Sequence, residues 1–231
     1  MKVFWSAVVA TVLTAISYGV GVHWGFIDHL DWLEIFSVWT SYSCTYLCVV
    51  QSRLNYPIGA VSVAALGVLF WKAGLYSSMA LQIYLFPIML YGWWRWGPDK
   101  VTRPVSRLGF NRWLAGYTGI VVMAYIVTYF TTTYFGGVAT AMDSSLLVGS
   151  VLGQFLLDNK KIENWWVWIL VDIVSVYEYW TQGLIVVAIQ MGLFILNALW
   201  GLYEWRKSEK AEVEAWDIAF ANIVSQIERV V

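Results

Sequence analysis

Two stretches of this 231-residue chain state one pattern in a single register. Asn55, Phe70-Trp71, Gly74-Leu75, Gly92 and Trp96 recur as Asn164, Tyr179-Trp180, Gly183-Leu184, Gly201 and Trp205, each pair 109 residues apart with no insertion between the first match and the last. Repeats with periods of about 20–50 residues build solenoids, whereas a single duplication of a long apolar block points to a membrane protein made of two related halves, a plan common among transporters. The apolar content agrees. The chain is 60% hydrophobic and 13% charged with a mean hydropathy of +0.63, against about 45–50% apolar residues in soluble domains. A hydrocarbon core of about 30 Å is crossed by roughly 17–25 residues. Runs of that length fall near 3–22, 33–51, 56–72, 75–95, 113–133, 140–158, 165–181 and 184–204. An all-α membrane protein of eight helices is expected.

Charge placement orients these spans. With the N-terminus inside, Lys2, Arg53, Arg95, Lys100, Arg103, Arg107, Arg112, Lys160, Lys161, Arg206, Lys207, Lys210 and Arg229 fall in cytoplasmic segments, and of the 14 basic residues Lys72 alone falls outside. Basic residues gather in cytoplasmic loops, so an even number of spans with both termini cytoplasmic is expected. The net charge of −1 says little about partners beyond the bilayer, and no nucleic-acid partner is expected. The first run has one basic residue before an apolar stretch, as a signal peptide does. Its apolar stretch is long and no clean small-x-small cleavage site precedes a soluble domain, so it reads as a true helix.

The order of elements divides the chain into an N-terminal helix and outer loop (1–31), a first triple-helix repeat (32–96), a basic cytoplasmic loop and linker helix (97–139), a second triple-helix repeat (140–206) and a tail (207–231). One linker helix restores the direction of the chain, so the two triple-helix repeats point the same way through the membrane, related by an axis along its normal. Pro57 opens a helix, where a missing N–H costs little. Pro87 sits deep in 75–95 and frees a backbone carbonyl there, so a kink is expected, equally a hinge or a passive bend. Cys44 and Cys48 sit four apart within a span and read as small packing residues.

A stripe on 165–181 is the sharpest candidate site. Trp165, Trp168, Asp172, Ser175 and Tyr179 follow helical spacing along one face, while their repeat partners are Tyr56, Gly59, Val63, Leu66 and Phe70. A nearly apolar face in one copy has become two indoles, a carboxylate, a hydroxyl and a phenol in the other. A carboxylate at the centre of a membrane helix costs about 2.5–3.5 kcal/mol on insertion scales. Asp172 therefore needs a cavity, a partner or an ion path, the bland alternatives being a polar cross-link or a protonated acid. Asp143, Asp158 and Glu163 lie at helix ends and need no such account, and Glu178 reads as solvated on another face.

Trp is also enriched at membrane interfaces, and the chain has 16 Trp, so belt residues are the competing reading for Trp165 and Trp168. Two indoles can clamp a flat ring, with about 0.5–2 kcal/mol more if the ring is cationic. Stacking alone falls short of the roughly 8 kcal/mol of a micromolar ligand. Gln82, Gln190, Asn197, Gln154 and the single-face set Trp39, Ser43 and Tyr46 offer polar contacts. Taken singly, a hydrogen bond to a neighbouring helix worth about 0.6 kcal/mol is the better reading for each of them except Gln82.

Further residues carry a family resemblance. Asn55-Tyr-Pro-Ile-Gly-Ala-Val-Ser-Val63, Gly74-Leu-Tyr76, Leu81-Gln-Ile-Tyr84, Tyr91-Gly-Trp-Trp-Arg-Trp96 and Lys161-Ile-Glu-Asn-Trp-Trp-Val-Trp168, with Gly201 and Trp205-Arg206, resemble the PnuC vitamin transporters from about Trp32 to Arg206. The resemblance implies a SWEET-like three-one-three fold, a bacterial cytoplasmic (inner) membrane, and facilitated diffusion of nicotinamide riboside driven by a cytoplasmic riboside kinase. It implies that Trp165 and Trp168 flank the nicotinamide ring, with Gln82 among the polar contacts. Departures occur at Gly183-Leu-Ile-Val-Val-Ala188, where relatives commonly read Gly-Leu-Tyr-Leu-Thr-Ala, at Met191 in place of a Tyr, and at Glu178 in place of an apolar residue. Thiamine and riboflavin remain alternative cargoes.

An enzyme is not expected: the two histidines, His23 and His29, lie in one outer loop and no metal-binding or nucleophile–base pattern occurs. Lys72, Lys160 and Lys161 all sit at helix ends, not mid-helix as a retinal Schiff base needs. Neither cofactor nor metal is expected; a receptor or structural role is the remote alternative. In the tail, Val213, Trp216, Phe220, Ile223, Ile227 and Val230 form an amphipathic stripe, suited to the inner membrane surface or to a neighbouring subunit of a homo-oligomer. The expected mechanism is alternating access, the two repeats rocking about a site near Trp168, Asp172 and Gln82 and bending at Pro87.

Overall fold

The computed structural model describes residues 1–26, 31–72, 76–97, 104–109, scattered positions between 111 and 133, and 141–228. Seven helices are described: α1 (Lys2–His23), α2 (Trp32–Val49), α3 (Asn55–Lys72), α4 (Tyr76–Trp96), α5 (Ala141–Asp158), α6 (Asn164–Thr181) and α7 (Ile185–Glu228). The fold is all-α; among the described residues extended pairing is confined to one bridge between Ser106 and Lys161. The expected linker helix at 113–133 lies largely outside the described residues, although Tyr125, Ile126 and Tyr129 within it are helical. Gly74 and Leu75 of the repeat also lie outside them.

Helices of 18–21 residues such as α2 to α6 are about 27–31 Å long at 1.5 Å per residue, the thickness of a hydrocarbon core. Hydropathy marks fewer of them. Among the described residues two helices, Lys2–His23 and Ile185–Ile223, are both long and apolar enough to count as spans on composition alone, with mean hydropathies of 1.8 and 2.0. The reason is that α2, α3 and α6 carry their polar groups inward: Ser37, Thr40, Ser41, Ser43, Ser62, Asp172 and Ser175 are buried, while Phe36, Val61, Val68, Leu170, Ile173 and Trp180 are exposed. Burying polar groups and exposing large apolar ones suits lipid, where packing and interhelical hydrogen bonds hold helices together.

Hydroxyl pairs join the helices in this way. Ser17 and Tyr42 lie 2.8 Å apart across α1 and α2, Ser43 donates to Ser6 at 3.2 Å, and Ser41 and Ser62 pair at 2.6 Å across α2 and α3. The N-terminal helix thus packs on the first repeat, with Ala10 and Tyr18 in one apolar cluster with Val38, Tyr42 and Val186. Asp31 caps α2 by accepting from the Leu33 N–H at 2.8 Å, satisfying one of the free donors of the first turn.

The duplication extends to backbone geometry. Helix α2 ends with Gln51 N–H on Cys48 O (3.1 Å) and Ser52 N–H on Leu47 O (2.8 Å); α5 ends with Lys160 N–H on Leu157 O and Lys161 N–H on Leu156 O (both 2.9 Å). Each is a Schellman motif, and each puts a non-glycine residue in the left-handed region, Gln51 at φ 51° and Lys160 at φ 48°, 109 positions apart. Asn55 and Asn164 then each donate through Nδ2 to the carbonyl three residues back, Ser52 O and Lys161 O. In both copies the next aromatic ring lies against a glycine of the third helix: a Cβ on Gly92 would fall 1.9 Å from the Tyr56 ring, and one on Gly201 would fall 2.5 Å from the Trp165 indole.

Equivalent residues of the two copies also touch. Phe70 and Tyr179 stack with centroids 5.7 Å apart and planes 9° apart, and Trp96 meets Trp205 at 6.3 Å. Repeat-related residues in mutual contact lie on the axis that relates the copies, so this axis runs from the C-terminal ends of α3 and α6 to those of α4 and the buried part of α7. Beyond Trp205, α7 continues unbroken through the tail to Glu228, with Val213, Trp216, Ile218, Phe220 and Ile223 exposed. Segment 104–109 straps the second repeat: Ile162 N–H donates to Ser106 O at 3.1 Å, Val105 is buried in the main apolar cluster, and Arg107 makes a two-pronged ion pair with Glu209. That carboxylate holds the Arg107 guanidinium above its usual pKa.

Candidate functional site

Between the two ring pairs lies a cavity of about 220 Å³ whose walls come from α2 to α7. Trp165, Trp168, Asp172, Ser175, Tyr179, Gln82 and Asn197 all line it. Helix α6 supplies five of these because its face from Trp165 to Tyr179 is turned toward the axis. Trp165 forms one end, its indole held edge-on against Trp205 at 5.4 Å and backed by Gly201. At the other end are the stacked Phe70 and Tyr179 rings.

Trp168 has room on the wall because the repeat changed size around it. In the first copy Gly59 is closed in by Met89 and Cys44: a Cβ there would fall 2.9 Å from Met89 Sδ and 3.0 Å from Cys44 Sγ. In the second copy the equivalents of Cys44 and Met89 are Gly153 and Ala198. The indole of Trp168 occupies the space they release, 3.0 Å from where a Cβ on Gly153 would stand.

Asp172 is only 4% exposed, yet its carboxylate makes no hydrogen bond to another described residue, and the same holds for the side chains of Gln82, Ser175 and Asn197, which line the same space. Buried polar groups are ordinarily paired. Four unpaired groups converging on one cavity mark a place built for a polar ligand. Among the described lining residues none is Lys, Arg or His, so the field inside favours cations.

Three expected members are placed elsewhere. Gln190 is fully buried, with both Nε2 and Oε1 unpaired, and does not line the cavity although its neighbour Met191 does. Trp39 turns toward α1, donating from Nε1 to Thr11 Oγ1 at 3.1 Å, and Tyr46 packs on Trp200 at 5.6 Å. The serine and threonine face of α2, through Ser41, Cys44 and Thr45, reaches the cavity instead. Pro87 lies within α4, which stays helical from Tyr76 to Trp96.

Glu178 corrects the sequence reading. It is buried, not solvated, and it lines the cavity while accepting from Gln182 Nε2 at 3.2 Å. The cavity touches α6 along two adjacent rows, Trp165-Trp168-Asp172-Ser175-Tyr179 and Trp168-Val171-Ser175-Glu178, whereas helical spacing marks only the first. Asp158 is likewise more than a helix end. Its Oδ1 accepts from the Tyr56 hydroxyl of the other copy and from Gln154 Nε2, both at 2.8 Å, locking the repeats together beside the cavity. No spacing rule in either copy connects residues 102 apart.

A helical bundle with an apolar exterior, polar groups turned inward and an unpaired polar cavity on its axis of duplication has the build of a small-molecule membrane transporter. The family described as nicotinamide mononucleotide transporter matches residues 31–207. The chain belongs to this family, the PnuC transporters of the membrane, as its sequence motifs indicated. The nicotinamide riboside transporter PnuC of Escherichia coli (strain K12) is 24% identical over 230 residues, covering 87% of this chain and 94% of that protein. The riboflavin/roseoflavin transporter RibM of Streptomyces davaonensis is 22% identical, covering 78% of this chain and 87% of that one. A crystal structure of the vitamin B3 transporter PnuC shares the fold, with a TM-score of 0.75 at 20% identity over 90% of this chain and 92% of that chain.

Proposed function

We propose that the chain carries nicotinamide riboside across a bacterial inner membrane by facilitated diffusion, with both termini cytoplasmic and uptake drawn forward by phosphorylation inside. One observation carries the choice of cargo: Trp165, Trp168 and an unpaired Asp172 line a cavity that holds no basic residue among its described walls. Riboside offers a flat cationic ring to the indoles, worth about 0.5–2 kcal/mol by cation–π attraction, and sugar hydroxyls to Gln82, Ser175 and Asn197. A mononucleotide would bring its phosphate into a cavity lined by Asp172 and Glu178, where like charges repel. Riboflavin is the second reading, favoured by the similarity to RibM; it is uncharged and would leave Asp172 without a counter-ion. Thiamine is cationic and tests the same features.

The axis of duplication supports alternating access. With three helices, a linker helix and three helices in a SWEET-like order, Phe70–Tyr179 would close the outer end and Trp165 on Trp205 the inner end, each pair parting as the repeats rock, with Pro87 a candidate hinge. A homo-oligomer and a partnering riboside kinase belong to the same proposal. Titration of the purified protein with nicotinamide riboside, thiamine and riboflavin tests the cargo; a preference for riboflavin would overturn the cation reading. Uptake into vesicles lacking a kinase tests the energetics, since accumulation above the outside concentration contradicts passive transport. Trp168→Ala and Asp172→Asn should each weaken binding at least tenfold while the protein stays folded.

A further inference from the structure

We infer that Glu178 is the charge-selecting residue of the cavity, a second carboxylate that makes it discriminate cationic ring–sugar ligands from uncharged ones of the same shape. The inference rests on the riboside reading and adds a residue that sequence alone dismissed. Glu178 lines the same cavity as Asp172, six residues further along α6 and next to the Phe70–Tyr179 pair, so an entering ligand meets it before reaching the indoles. Its equivalent in the first copy is Leu69, buried and apolar. An acid at this level is therefore no requirement of the fold. Gln182 donates to Glu178 Oε1 at 3.2 Å, which orients the carboxylate at the cavity wall. No Lys, Arg or His stands among the described lining residues to offset the two carboxylates.

The experiment uses the full chain in nanodiscs and two probes, nicotinamide riboside and its reduced dihydro form, which keeps the shape and loses the ring charge. The wild type should bind the cation more tightly, and Glu178→Gln should lower the ratio of the two affinities by about tenfold, the scale of one unit charge acting across a few ångströms to a nanometre of protein. Affinity for the uncharged form should stay within twofold. Glu178→Asp should keep most of the ratio. An unchanged ratio in Glu178→Gln overturns the inference, and equal weakening of both probes does so too, because it assigns Glu178 a structural role only. If Glu178→Gln does not fold, Glu178→Leu, which installs the residue the first copy carries at Leu69, takes its place with the same two outcomes read from the affinity ratio. Failure of the wild type to bind either probe has a different meaning and overturns the riboside reading itself.

Discussion

Adding one methyl group at each of two repeat-related glycines should separate fold from site. A Cβ on Gly92 would stand 1.9 Å from Tyr56 Cε1, and one on Gly201 2.5 Å from the Trp165 indole. Carbon–carbon contact needs about 3.5 Å, so the Tyr56 ring must withdraw by about 1.6 Å and the Trp165 indole by about 1 Å. Both rings are nearly fully buried, Tyr56 against Trp96 and Trp165 against Trp205, but Trp165 borders the cavity and can shift into it whereas Tyr56 does not. Overpacking of this kind costs about 1–3 kcal/mol, with Gly92→Ala at the upper end. Binding should divide the other way. Tyr56 does not reach the cavity and Trp165 forms one end of it, so Gly201→Ala moves a stacking surface worth about 1–3 kcal/mol and should raise Kd roughly tenfold, whereas Gly92→Ala leaves Kd within twofold. Thermal unfolding and ligand titration of both variants in the same detergent supply the two readings. Wild-type affinity in a Gly201→Ala protein would refute the assignment of Trp165 to the site, and equal loss of affinity in both variants would refute the division between the copies.

Tyr56→Phe removes one of the two donors to Asp158 Oδ1 and leaves Gln154 in place, so stability should fall by about 1–2 kcal/mol with ligand affinity unchanged; a double-mutant cycle with Asp158→Asn measures the coupling. Gln190→Leu replaces a carboxamide whose two polar atoms are buried and unpaired, and is expected to be neutral or stabilising with unaltered binding, whereas a tenfold loss of affinity would bring Gln190 back into the site. Gly153→Ala places a Cβ 3.0 Å from Trp168 Cε2, a few tenths of an ångström too close, and should weaken binding two- to tenfold at little cost in stability, read by titration. Arg107→Ala breaks an ion pair whose arginine is 60% exposed and should change the unfolding midpoint by the equivalent of less than about 1 kcal/mol, less still at high salt.

The helices were legible because lipid and helix geometry leave few choices: apolar runs predicted 56–72 and 165–181, and the structure has Asn55–Lys72 and Asn164–Thr181. The stripe on α6 was legible because the duplication supplied an internal control, setting Asp172 against Val63 and Trp168 against Gly59. Tertiary position set the limit. Gln190 and Asn197 share one helical face by spacing, yet Asn197 lines the cavity and Gln190 does not, the wall on α7 passing through Met191 and Phe194 instead. Glu178 failed in the opposite sense, because a concave wall touches more of a helix than one stripe. The pairing of Tyr56 with Asp158 had no local signal at all.

The repeat accounts for how a binding site arises on a symmetric scaffold. Contacts made by equivalent residues of the two copies, Phe70 with Tyr179 and Trp96 with Trp205, stay aromatic on both sides, because a residue on the axis faces its own counterpart and a change in one copy alone unbalances the contact. Off the axis that constraint is absent. There Gly59 faces Met89 and Cys44, and its equivalent Trp168 faces Ala198 and Gly153, so the indole could enter only where both neighbours had shrunk. The side-chain volume carried by two flanking residues in one copy is carried in the other by a single residue that projects to the cavity. Asp172 likewise stands where the first copy has Val63, so the two copies contribute unlike surfaces to one cavity, the first adding the carboxamide of Gln82 and the second the carboxylate of Asp172.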